Sequence, residues 1–187
     1  MNKLTIEQAR AMTDHAFAGS RVHPSILLAA AVVDHQGHSL LLTREPGAPP
    51  LLLDIAQAKA KSCVAIGMPT RAIMDLALKK PTWFESASRV AQSSTGTPLW
   101  GALGGVIIRD DEGSLLGAIS IAGDTGAGDE AHSKAAIESV GLVADVNGLD
   151  VVWSRRQTSE HNTFNNSRGL ALTTICYTIH MFEGQHG

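Results

Sequence analysis

The chain is short of charge, cysteine and long apolar runs, and each shortage excludes something. Only 18% of its residues are charged and the formal net charge is -3. The adjacent basic pairs, Lys79-Lys80 and Arg155-Arg156, are too few to track a phosphate backbone, so no nucleic-acid partner is expected. Two cysteines, Cys63 and Cys176, do not make a disulfide framework. No apolar run approaches the roughly 18 residues of a membrane helix, so no membrane partner is expected either. The first residues, MNKLTIEQAR, lack the apolar segment of a signal peptide. The expected setting is cytoplasmic and reducing.

What is present is hydrophobic and patterned. With 44% hydrophobic residues in 187, the chain can bury a sizeable core. Thr5 and Gln8 form a capping box ahead of a helix over 6–18. Ile26 to Val33 reads as a buried strand, "DHQGH" as a turn, and Leu40 to Thr43 as a returning strand. A helix follows with Pro50 in its first turn. Met68-Pro69-Thr70 ends it, and Thr70 is placed to cap a further helix over 71–78. Residues 81–101 are rich in Ser, Thr and Gly and read as loose. Then "VVDHQGHSLL" returns as "IIRDDEGSLL", a second hairpin, followed by a helix over 130–143 capped by Asp129.

Two hairpin-then-helix units predict an α+β fold, an antiparallel sheet of about five strands flanked by helices in a profilin-like α/β sandwich. After Trp153 the chain turns polar, then "LALTTICYTIHMF" over 170–182 reads as an extra strand. The expected division is a domain over 1–150 and a linker with a C-terminal strand over 151–187, open to exchange between subunits.

The candidate chemistry starts at Lys59. Ile55, Ala56, Lys59, Cys63 and Ile66 recur at helical spacing, so a lysine sits in an apolar stripe. An inward ammonium must snorkel, find a carboxylate or meet a ligand anion. Arg44 and "REPGAPP" stand before the same helix's N-terminus, where free N–H groups favour anions. Gly104 and Gly105 open the third strand and allow a close approach or a bulge. "AGDTGAGD" fits neither a P-loop nor a dinucleotide loop. The histidines carry no zinc signature. His15 and His23 are the candidate iron or metal ligands, His35 and His38 flank a hairpin turn, and most are expected to face water.

Together, "AVVDHQGHSLLLTREPGA", "IAQAKAKSCVAIGMPT" and "GGVIIRDDEGSLLGAISIAGDTGAGDEAHSKAAI" resemble the GlcG/HbpS family, which includes the C-terminal domain of some PduO-type adenosyltransferases. The resemblance covers about Leu4 to Leu142. It implies a sheet flanked by helices, homo-oligomers, and haem or corrinoid binding near subunit contacts. It places Arg44, Gly47, Lys59, Gly104, Gly105 and Asp129 at family motif positions, and suggests an anion pocket built from Arg44, Lys59 and the Gly104-Gly105 backbone. Pro46 and Ile107 depart from the family pattern beside that pocket.

Two functions are therefore expected. The first is an oligomeric binder of haem or another tetrapyrrole, with propionates on Arg44 and Lys59 and His15 or His23 on the iron. The second is a cofactor-independent isomerase, cyclase or lyase acting on a small anionic or phenolic metabolite. There Arg44 would hold the substrate, and Lys59 with Asp129 or His132 would move a proton. A bare assembly module is the third possibility, marked by a Lys59 paired permanently with a carboxylate.

Overall fold

A computed structural model describes residues 3–19 and 25–148. His23, Cys176 and the strand expected over 170–182 lie outside the described residues. The first helix, α1 (Ile6–Ala18), begins at the expected capping box. The Thr5 hydroxyl accepts the Gln8 N–H at 3.2 Å, and the Gln8 side chain accepts the Thr5 N–H at 3.0 Å.

Two hairpins follow the expected order, β1 (Ala29–Asp34) with β2 (Ser39–Arg44), and β3 (Gly105–Arg109) with β4 (Leu115–Ala122). Their turns are built alike, as the repeated sequence implies. Asp34 accepts the N–H groups of Gln36 and His38, and Asp110 those of Glu112 and Ser114. Gly37 N–H then closes on the Asp34 carbonyl, and Gly113 N–H on that of Asp110. A short β5 (Val143–Asp145) completes an antiparallel sheet in the order β2-β1-β4-β3-β5.

The sheet lies between two helical layers. One face packs on α1 and α5 (Gly126–Ser139) through Met12, Leu28, Val32, Ile108, Ile119 and Ile137. The other face packs on α2 (Leu51–Ile66) through Ala29, Ala31, Val33, Ile107 and Ala118. Alternate residues of β1 thus serve opposite layers. The alanines on the α2 side let that helix come close, with Ala56, Ala60 and Cys63 fully buried against them.

Four expectations need correction. The loose stretch is mostly a helix, α4 (Pro81–Thr95), which follows α3 (Thr70–Lys79). It escaped notice because its many serines and threonines read as loop, and its apolar side, at Phe84, Ala87 and Ala91, is only half-buried. Ser86, Ser93, Ser94 and Thr95 satisfy their hydroxyls on carbonyls four residues back. Thr70 does not cap α3 from outside; it lies inside the helix and bonds the β3 backbone. The last helix starts four residues earlier than expected, capped by Thr125 through the Gly128 N–H, so Asp129 is not its cap. It also ends before Val143, which belongs to β5.

Candidate functional site

Lys59 is as buried as its place in the stripe implies, and it has found a carboxylate 70 residues away. Its ammonium donates to Asp129 Oδ2 at 2.9 Å and to the Ile121 carbonyl at 3.1 Å. Both side chains are 5% exposed. Gly104 makes the room. It adopts φ +122°, and a Cβ there would stand 2.6 Å from the Ile121 oxygen and 2.7 Å from the Lys59 nitrogen. Ser133 ties the knot by donating to the Gly104 carbonyl and accepting the Ile121 N–H. Burial pushes the Asp129 carboxyl above its ordinary value; Lys59 pulls the other way but does not offset it.

From Asp129 the network runs outward. Its Oδ1 accepts the Asp124 N–H at 2.9 Å. The Asp124 carboxylate, 1% exposed, stands 3.3 Å from Nε2 of His132, whose side chain is 9% exposed. His132 is thus not among the histidines that face water: it lies on the buried side of α5 beside Asp124. These residues reach a cleft of about 440 Å³ between the end of α1 and the start of α5. His15, exposed on α1, stands on its rim, and Ala16, Gly19, Gly128 and Ala131 line it.

The expected anion pocket of Arg44, Lys59, Gly104 and Gly105 is not assembled. Lys59 fills the space over Gly104. Thr70 and Cys63 fill that over Gly105, where a Cβ would stand 2.6 Å from Thr70 Cγ2 and 2.8 Å from Cys63 Sγ. Arg44 is exposed at the end of β2, donates to the Ala48 carbonyl at 2.8 Å, and lines a separate cleft of about 490 Å³ with Arg10 and Glu45. Gly47 lies in the exposed turn before α2. The structure therefore joins Lys59 to Asp129, Gly104 and, through Asp124, to His132, and leaves Arg44 elsewhere.

Two contributors carried no signal in the sequence reading, Asp124 and Ser133, and a third, Thr70, was read only as a cap. Moving the α5 cap to Thr125 would have placed Asp124 just outside the helix and Ser133 on its buried side. Among the described residues, no group of three or more His, Cys, Asp or Glu side chains is placed to hold a metal ion. Cys63 is fully buried, which pushes its thiol up to about 12 and leaves it unreactive.

The family described as haem degrading protein HbpS-like is matched over residues 4–138. This chain belongs to that family. The fold agrees with solved structures. The complex of PduOC with heme is matched at a TM-score of 0.62 and 21% identity, over 77% of this chain and 99% of that one. A double mutant of Streptomyces reticuli HbpS is matched at 0.62 and 26% identity, over 75% and 89%. Klebsiella pneumoniae protein ORFY is matched at 0.59 and 21% identity, over 75% and 93%. No curated protein matches. Among the described residues, no helix is long and apolar enough to cross a membrane.

Proposed function

We propose that the chain binds haem, or another tetrapyrrole, in the cleft between α1 and α5. The observation that carries this is an exposed imidazole, His15, on the rim of a slot floored by small residues. Ala16, Gly19, Gly128, Ala131 and Ala135 project little, so a planar macrocycle can lie against both helices. His15 would ligate the iron, and His132, held by Asp124, would form the inner wall. Bound haem would supply one-electron iron chemistry, and the chain its ligation and orientation. The slot is open to solvent, and a second copy in a homo-oligomer would close it. The family description and the heme complex of PduOC support this reading.

A second reading draws on the Asp124–His132 pair. A carboxylate that orients an imidazole is the arrangement of a general base. A cofactor-independent proton transfer in the same cleft would then use His132. Lys59 and Asp129, each engaged by the other, would support that pair rather than carry the proton.

An absorption titration with haemin tests the first reading, repeated with His15→Ala, His23→Ala and His132→Ala. A saturable Soret shift at about one equivalent per chain, lost in His15→Ala, is the expected result. Loss in His23→Ala alone would assign the iron to His23 in place of His15. A weak, unsaturable response that no variant changes would remove haem and leave the proton-transfer reading.

A further inference from the structure

We propose a second ligand site, for a small organic carboxylate with an apolar body, in the cleft beside the β1–β2 turn. It is distinct from the haem cleft in position. Ala29 pairs with Ala122 and Asp34 with Gly117, so the turn after Asp34 lies at the far end of the β1–β4 pair from Asp124. Five strand steps put the two ends about 17 Å apart.

The cleft measures about 510 Å³, within the roughly 300–1,000 Å³ of small-molecule sites. The turn supplies His35 and His38, α2 supplies Lys61 and Val64, and the segment after α4 supplies Thr97 and Leu99. No aspartate or glutamate lines it. The one nearby acid, Asp34, belongs to the turn itself. It is engaged by the N–H groups of Gln36 and His38 and stands 3.6 Å from the His38 ring. Asp34 is thus held by its own turn, and the positive charge of the cleft rests on Lys61.

Lys61 is half-buried and donates to Thr97 Oγ1 at 3.1 Å. Among the described residues it forms no ion pair with a carboxylate, unlike Lys59 two residues before it. An ammonium bonded to a hydroxyl keeps two further donors. Thr97 Oγ1, which accepts from Lys61, has its own proton to give. Two donors thus converge where a carboxylate would bring two acceptors. The C-terminus of α4 opposes this with the partial negative charge of its carbonyls, about half a unit and spread over a turn, which a full ammonium outweighs. Val64, Ala65 and Leu99 give the rest of the ligand an apolar wall. Inorganic phosphate would leave that wall uncovered, so the match is to an organic acid.

The test uses benzoate, with inorganic phosphate as the anion that lacks an apolar body. Amide NMR shifts of the full chain are followed as each is added. Saturable shifts at His35, Lys61 and Thr97 with benzoate, weakened about tenfold or more by Lys61→Met and smaller with phosphate, are expected. Equal response to both anions would overturn the organic-acid assignment. Absence of saturable shifts with benzoate would overturn the site. Lys61→Met should leave the haemin titration unchanged, so failure here and failure of the haem reading show separately.

Discussion

Lys59 and Lys61 stand two residues apart on one helix, which turns them about 200° from each other. Lys59 enters the layer between α2 and the sheet and is closed in by Asp129, Ile121 and Gly104. Lys61 faces a cleft and meets a single threonine. The same side chain is a fastening in one place and an open charge in the other. Residue type sets what a lysine can do; which groups surround it sets what it does. The same contrast holds at the two ends of the sheet. The Asp129 end has matched its buried charges; at the other end Arg109 and Asp145 pair within the sheet, but the cleft beside the turn presents Lys61 with no acid in its lining.

The largest effect expected from this comparison follows from breaking the buried pair. Lys59→Met strands the Asp129 carboxylate in a dry layer and should cost about 3–5 kcal/mol in urea denaturation. Replacing both members, Lys59→Met with Asp129→Leu, should recover most of that loss, because no charge is then buried alone. A Lys59→Met chain as stable as the parent would mean that the ion pair is not a fastening, and the contrast with Lys61 would collapse.

Gly104→Ala comes next. The added methyl group meets the Ile121 oxygen and displaces the Lys59 tip, at a φ that alanine rarely adopts. A loss of about 2–4 kcal/mol is expected from strain and overpacking together. Thermal unfolding of Gly104→Ala in the Lys59→Met background sharpens the point. If the methyl group acts partly through Lys59, the two losses should sum to less than their separate values.

Much of this was legible in the sequence, and the illegible parts share a cause. Continuous apolar runs, the repeated Asp-to-Gly turn and the Thr5–Gln8 box announced the first helix and both hairpins, because local hydrogen bonds decide them. The misfit of Lys59 was equally visible, since helical spacing alone shows it. Its partner was not. Asp129 lies on another helix in another layer, and only packing brings them to 2.9 Å. Reading Asp129 as a cap was a local explanation for a residue whose role is long-range. Helix α4 was hidden by its composition: its serines and threonines read as loop, although most bond back within the helix and its apolar side is half-buried. The convergence of Lys61, Thr97 and His35 was likewise beyond reach while α4 and the segment after it read as loose.

A smaller effect is expected at the β1–β2 turn, beside the cleft that carries the open charge. Burial alone would raise the Asp34 carboxyl, but the N–H groups of His38 and Gln36 outweigh it and, with the nearby histidines, hold it below its ordinary 3.8. A carboxyl depressed in the folded state adds stability above its unfolded value and loses it as pH falls through the folded one. Asp34→Ala should therefore cost about 1 kcal/mol near neutral pH. Its deficit against the parent should shrink as pH is lowered below 3.8. Denaturation curves at a neutral and an acid pH measure it. A deficit that stays constant would assign the effect to the turn's packing rather than to the carboxylate.

The smallest effect is the one the comparison most needs. Lys61→Met removes a charge that no acid among the described residues answers and keeps the aliphatic stem, so its stability should stay within about 0.5 kcal/mol of the parent. The same substitution at Lys59 is expected to cost several-fold more, though the two sites are neighbours in sequence. If Lys61→Met proved as damaging as Lys59→Met, its ammonium would have to be answering a buried acid after all. The cleft at the β1–β2 turn would then be part of the fold's support. If it is silent in unfolding yet weakens benzoate binding, the charge is held in place for a ligand, because the folded chain gains nothing else from it.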